Sequence, residues 1–567
     1  MSSTVRWLIA GCLWLSIAAA AEGQGGASPV LNARLFPAGP PPAGKIDVVD
    51  LVYEPADTKL AAITLQGQVH RGPRSRIYVL SAPWDAIWLN EIQGLGYLPN
   101  TRAVSVDGLF ARYSASYERV VVYDPALLAT INIATMLAAR NKGIVVAPGD
   151  IARFGAGKLV EDLRGRWVRN VDAYQWAFDN LWPDMDQSVL ACVHPTGTSH
   201  LSRDYLVGND LFPFWVTNEL FEDGVKSSFD LEKAFAEQLF QATDSNVPVM
   251  GFWYSGLDPG LDEYRGVGLA GEYGKLTVAT SFGSNFSLLS GIEVDFDSVI
   301  SDYRQRTRSE PPALDPEKIY LAFNVVESGD APSYWQFRQH DVWSDPVRGQ
   351  VPIGWGMGVS ALELVPPIME WFFTRATDMD HFYPAISGGA YIHPYRDFAT
   401  RRPDTEFSWR RYLRLSERAM QTLQAQEMGL YTDAWLPFDR SRQDPVTLRF
   451  TEGIRGLDTL LLGMGRDEGM NAQNGHYDLG SQGTHVAHVL TRWDHAWASN
   501  TREQNIQWLV DEISAQVPAQ RPAFLPCMAL SWAYGPSELV EVLSRLGSEY
   551  VAVSVPHFES LYREAGN

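Results

Sequence analysis

From Ile319 to the C-terminus the chain repeats one pattern: short apolar runs separated by longer stretches, several of them helical. The runs are Ile319 to Val326, Val351 to Gly356, His381 to Ser387, Leu430 to Leu436, Thr459 to Met464, His485 to Leu490, Ala523 to Ser531 and Tyr550 to Val555. Between them, "SWRRYLRLSERAMQTLQAQEMGL" and "TREQNIQWLVDEISAQV" have the apolar spacing of amphipathic helices. Strands joined through helices pair in parallel, because a crossover is needed to return the chain to the same end of the sheet. Seven or eight such units predict a C-terminal (β/α) barrel over residues 316–567, with its functional face on the loops after the strands.

The stretch "RTRSEPPALDPEK", Arg306 to Lys318, is polar and proline-bearing, with apolar periodicity on both sides, and marks a boundary. A chain of 567 residues also exceeds what one core organises. Residues 46–305 read as an N-terminal α/β companion region of one or more domains. Within it "RVVVYDPALLATINIATMLAARNKGIVVAPGD" gives strand, helix and strand, a βαβ unit. No glycine pattern for a dinucleotide or a phosphate loop sits at these turns, so no nucleotide site and no cofactor is expected.

Residues 1–21 read as a signal peptide: Arg6 precedes an apolar run, Trp7 to Ala21, that is too short to span a bilayer and ends in small residues. Export to the periplasm or the medium follows, with lipid anchoring at Cys12 the less favoured alternative. Residues 22–45, rich in Gly and Pro, read as a linker. No other segment is apolar enough to be an integral membrane span. Cys192 and Cys527 remain after cleavage, as one disulfide or as two buried thiols. The formal charge of -21 disfavours nucleic acid and anionic membranes, which need clustered cations. Neutral substrates fit better, and 19 tryptophans with 23 tyrosines include rings to spare for stacking on sugar faces.

Acids and aromatics collect in the loops after the apolar runs: Glu327 and Asp330 after the first, Trp355 in the second, Asp433 and Trp435 in the fourth, Asp467 and Glu468 after the fifth, Trp493 and Asp494 after the sixth, Trp532 after the seventh, and His557 after the last. After the third comes "ISGGAYIHPYRDF", Ile386 to Phe398, where two glycines let the chain turn sharply and Tyr391 and His393, two apart, face one way if the piece is extended. A glycosidase needs one carboxyl to protonate the leaving oxygen, a second to attack or to activate water, and rings to orient the sugar. Asp330, Glu327 and Asp433 are the carboxyl candidates; Tyr391, His393, Trp355, Trp435, Asp467, Glu468 and Trp532 are the substrate-binding candidates. The competing reading is that these acids cap helices and turns, and that Tyr391 packs under its loop. His485 and His488 with Asp494 and His495 invite a metal, but positions three apart on a strand face opposite sides, so no metal is assigned.

"ISGGAYIHP", together with "SDPVRGQVPIGWGMGVSALELVPPIMEWFF" before it, "RPAFLPCMALSWAYGPSELVEVLSRLGSEYVAVSVPHFESLYREAG" after it, and "AAITLQGQVHRGPRSRIYVL" and "SFGSNFSLLSGI" in the first half, resembles the GxGYxYP family of proposed glycoside hydrolases over nearly the whole mature chain. Gly388, Tyr391 and Pro394 match the motif, whereas Ala390 stands at its second glycine and His393 at its second tyrosine. The family's acidic stretch after the first barrel strand reads "ESGDAP" here, with Gly329 and Asp330 matched and Ala331 in place of an Asn. The resemblance implies a carbohydrate substrate and makes Asp330 the first choice for a catalytic acid. The eroded stretch keeps a non-catalytic glycan-binding protein as an alternative, and a metal-dependent polysaccharide deacetylase as another.

Overall fold

The computed structural model describes residues 34–196, 201–253, 260–326, 329–396, 398–432, 439–463, 475–490 and 500–566. Residues 1–21, expected to be a signal peptide, and most of the expected linker lie outside these. In the first half the strands form three small parallel sheets in sequence order. The first is β1 (Pro42–Asp50) flanked by β2 (Ser75–Leu80) and β3 (Thr101–Val104); the second is β4 (Arg119–Val122) flanked by β5 (Gly143–Val146) and β6 (Leu159–Asp162). The third contains β7 (Leu190–Cys192), β8 (Phe212–Phe214), β9 (Pro248–Gly251) and β10 (Leu276–Ala279), in the order β10-β9-β7-β8. The βαβ unit read at Arg119 to Asp150 is β4, the helix Ala129–Arg140 and β5. Residues 307–318 hold neither helix nor strand.

The second half begins with β11 (Ile319–Val325), whose seven residues, apolar but for Asn324, are all buried, as a strand between two neighbours requires. Next come β12 (Ile353–Met357), β13 (Asp380–Pro384), β14 (Glu427–Leu430), β15 (Thr459–Leu462), β16 (His476–Leu479), β17 (Thr484–His488), β18 (Ala523–Ala529) and β19 (Tyr550–Ala552). They form two sheets, β13-β12-β11-β18 and β14-β15-β17-β16, parallel except for β16. No sheet is closed. At one meeting of the two sheets, Leu490 N donates to Pro526 O (2.8 Å) and Met528 N to Leu490 O (3.0 Å), a single-residue bridge. At the other, beside the first residues of β13 and β14, side chains replace the ladder: His381 Nε2 donates to Glu427, while Arg304 donates to His381 Nδ1 (2.8 Å) and to Phe382 O (2.7 Å). The eighth apolar run does not lie between the first and the seventh. β18 pairs with β11 directly, and β19 pairs only with Ile319 to Leu321.

One apolar core runs through both halves. Buried polar contacts also join them: Gln336, in the helix after Asp330, exchanges hydrogen bonds with Ser284 (2.9 and 3.1 Å), and the Trp88 indole donates to Gln336 O (2.5 Å). Beside Ser284, Asn285 takes a left-handed conformation and holds the amide and carbonyl of Val79 in β2 (2.8 and 2.9 Å). The conspicuous "SFGSNFSLLSGI" thus ties the first sheet to the second half. Cys192 and Cys527 are buried free thiols. No helix among the described residues is long and apolar enough to cross a membrane.

Candidate active site

The loop after β13 turns through Ser387 (φ 66°) and Gly388 (φ 80°), both left-handed. A Cβ on Gly388 would lie 2.7 Å from Ser416 Oγ and 2.9 Å from Met428 Sδ, and one on Gly389 would lie 2.6 Å from Leu415 Cγ. The adjacent glycines therefore serve close approach to the helix Thr405–Leu423. That helix holds the loop in return: Ser416 Oγ accepts from Gly389 N (3.1 Å) and Tyr412 OH donates to Ala390 O (3.0 Å). On its other side the loop pairs with the edge of the third sheet, where Thr277 N donates to Tyr391 O (3.1 Å). Residues 387–392 are clamped between the two halves of the chain.

The clamp fixes a group of rings. Tyr391 OH donates to Glu263 Oε1 at 3.0 Å, and its ring meets that of Tyr431 edge-on at 5.7 Å. His393 lies between Tyr264 (centroids 4.8 Å) and Tyr431 (4.7 Å). Glu263 and Tyr264 begin the helix Glu263–Glu272, whose N-cap Asp262 accepts from Arg265 N (2.9 Å). His393 is 3% exposed, yet neither ring nitrogen has a hydrogen-bond partner. Burial, helped by the Arg396 charge, pushes its pKa down to about 3, so the imidazole is neutral and offers one donor and one acceptor.

Asp330 follows β11 on a short loop packed against the end of β12. Gly358 N donates to Gly329 O (3.2 Å), Trp335 Nε1 donates to the same carbonyl (2.7 Å), and Ser360 Oγ donates to Asp330 O (3.4 Å). Asp330 is 6% exposed; burial raises its carboxyl to about 7, and the charge of Glu263 adds to the rise. Its field in turn reaches Tyr391 and Tyr412. Glu263 differs: the residue keeps solvent access although protein packs densely around its carboxyl. That enclosure raises its pKa, the Tyr391 hydrogen bond opposes the rise, and Asp262 adds to it. A carboxylic acid half protonated at neutrality, beside a second carboxyl and a neutral imidazole, can give a proton to a substrate oxygen while a polar ring group binds hydroxyls.

Of the residues singled out from the sequence, Asp330, Tyr391 and His393 come together. Trp355 does not join them. Gly354 and Gly356 take the inward positions of β12, and Trp355, 1% exposed, points the other way, donating to Asp380 Oδ1 (2.9 Å) and packing on Trp343. It is a core residue. Trp532 is 41% exposed and rests on Tyr334 and Phe337, on the helix just after Asp330. Glu327, Asp433, Trp435, Asp467 and Glu468 lie outside the described residues, as do Trp493, Asp494 and His495. His485 is engaged by His476 (2.9 Å) and Glu559, and no three metal-binding side chains converge among the described residues. Glu263, Tyr264 and Tyr431 escaped the sequence reading. For Glu263 the available signal was Asp262, an N-cap after a short buried strand.

Four family models match in order: "GxGYxYP_N 1st domain" over residues 46–114, "GxGYxYP_N second domain" over 118–185, "GxGYxYP third domain" over 187–291, and "GxGYxYP putative glycoside hydrolase C-terminal domain" over 317–563. The first three coincide with the three small sheets. The crystal structure of a putative hydrolase from Bacteroides thetaiotaomicron VPI-5482 at 1.25 Å resolution shares the fold, with a TM-score of 0.76 and 17% identity over 95% of this chain and 98% of that one. No curated protein matches.

Proposed function

The chain belongs to the GxGYxYP family, and from that premise we propose that it is an exported hydrolase of glycosidic bonds, acting on a poly- or oligosaccharide with Asp330 as its general acid. One observation carries this reading. Asp330 is held in a buried position that keeps its carboxyl protonated up to about pH 7, within the field of Glu263 and of Tyr391, whose ring touches His393. An acid with that affinity for its proton protonates a departing glycosidic oxygen at neutral pH. His393, with two unpartnered ring nitrogens, supplies a donor and an acceptor for sugar hydroxyls. Trp532, on the same end of the neighbouring strand β18, offers a ring to a further sugar unit.

The seven parallel strands from β11 to β18 read in this account as an incomplete (β/α) barrel. Asp330, the Tyr391 loop and Tyr431 follow the C-terminal ends of β11, β13 and β14, where barrel enzymes carry their chemistry. Purified protein screened against a glycan panel, with binding and reducing-end release read on the same samples, tests the proposal. Release with some glycan supports it. Binding without release assigns a glycan-binding protein, and acetate release alone assigns a deacetylase.

A further inference from the structure

We propose that Glu263, contributed by the N-terminal half, is the second catalytic carboxylate, so that the active site is complete only where the helix Glu263–Glu272 meets the loop after β13. This rests on the glycosidase reading and deepens it.

Four observations support the assignment. Tyr391, the motif tyrosine, spends its phenol on Glu263 Oε1 at 3.0 Å and so fixes that carboxyl in place. Glu263 makes no ion pair among the described residues, while its neighbour Asp262 is engaged by Arg265. No described cation therefore neutralises this carboxyl, unlike that of Asp262. It is also exposed, so a substrate can reach it. Finally, Tyr264, the next residue, forms one face of the sandwich around His393, so the start of this helix packs on the motif loop.

The roles divide between the two acids. Two carboxyls in one field do not both ionise readily. Asp330, the more buried, is assigned the proton, and Glu263, which is exposed and accepts from Tyr391, is assigned the role of its ionised partner. A Glu263 oxygen gives its electron pair to the anomeric carbon, the bond from that carbon to the leaving oxygen breaks, and the leaving oxygen takes the Asp330 proton. Water then attacks the glycosyl ester while Asp330 takes its proton, and the Glu263 carboxylate is released. If a water stands between, Glu263 takes the proton of that water as its oxygen bonds to the anomeric carbon. In that case the water oxygen supplies the electron pair to carbon, Glu263 acts as the base, and the leaving oxygen again departs with the Asp330 proton.

The test uses the full chain, a panel of 2,4-dinitrophenyl glycosides and oligosaccharides, and the variants E263Q, E263A and D330N. Glu263 is solvent-accessible, so E263Q is expected to melt with the wild type. On whichever probe the wild type cleaves, E263Q should lose about 1000-fold or more in turnover. Sodium azide should restore E263A with formation of a glycosyl azide, an outcome that a structural role would not produce. D330N should retain more of its rate on dinitrophenyl glycosides, whose leaving group needs no proton, than on oligosaccharides. Retention of anomeric configuration identifies direct attack by Glu263, and inversion identifies attack through water. An active wild type with an equally active E263Q overturns the proposal alone. A loss in E263A that azide leaves unchanged assigns Glu263 a structural role and also overturns it. A wild type inert toward every probe overturns the glycosidase reading, and this proposal with it.

Discussion

Tyr391 and Glu263 lie 128 positions apart in the chain, yet the phenol of one donates to the carboxyl of the other at 3.0 Å. The hydrogen bond joins the loop after β13 to the first turn of a helix from the companion half. Tyr391→Phe removes it and leaves the ring, so stability should fall by about 1 kcal/mol, as for one buried hydrogen bond. Tyr391→Ala also removes a ring that is only 8% exposed, and about 3 to 5 kcal/mol should be lost. Urea denaturation of the two variants separates the contributions. Equal losses would mean that the ring packs on nothing.

Gly388 should tolerate no side chain. Its φ of 80° strains any L residue, and the added Cβ meets Ser416 and Met428 at under 3 Å. Gly388→Ala should cost about 1 to 3 kcal/mol and misplace Tyr391 and His393 together. The denaturation midpoint measures the first effect and glycan affinity the second; an unchanged midpoint would show that helix Thr405–Leu423 can move aside.

Asp330 should make stability depend on pH in a stated direction. Its carboxyl titrates at about 7 when folded and at about 3.9 in a free chain. Between those values the native state holds a proton that the unfolded chain has released, so the stabilising contribution is present below about pH 4 and is lost as pH rises to about 7. Relative to wild type, Asp330→Asn should therefore be more stable at pH 8 than at pH 4, by up to about 4 kcal/mol. Asp85 and Asp204, also raised by burial, give the same trend in both proteins and cancel in the difference. Melting curves at several pH values check this, and a difference independent of pH would contradict the buried, protonated state.

Trp532 is exposed, so Trp532→Ala should change the melting temperature little. If the ring stacks on a sugar, affinity for an oligosaccharide long enough to reach it should fall by about 0.5 to 1.5 kcal/mol, about 2- to 10-fold. Affinity for a monosaccharide should not change. Titration calorimetry with a chain-length series distinguishes the two.

Local pattern made much of this fold legible. β11 is buried along its whole length and apolar but for Asn324 because neighbours flank it on both sides, and β4 to β5 is a βαβ unit whose helix is buried on nearly every face. The paired glycines announced a constrained loop, and Asp330 and His393 sit where that loop and the first strand end required. What failed was long-range or depended on strand parity. Trp355 lies within a parallel strand as expected, but its neighbouring glycines hold the inward positions. Closure of the sheets depends on which strands meet, and at β13 and β14 a side-chain bridge between His381 and Glu427 stands where a ladder was expected. Glu263 was invisible because its partner is a loop in the other half, and no spacing rule links the two.

Turnover by Asp330→Asn, measured as reducing-end release across pH on the glycan that the wild type cleaves best, bears most directly on the proposed chemistry. The wild-type rate should fall as pH rises through about 7, where Asp330 gives up its proton. The variant should be slower by two or more orders of magnitude, with an unchanged melting temperature at pH 4. Full activity in Asp330→Asn, with the wild-type alkaline limb intact, would contradict the assignment of Asp330 as the acid.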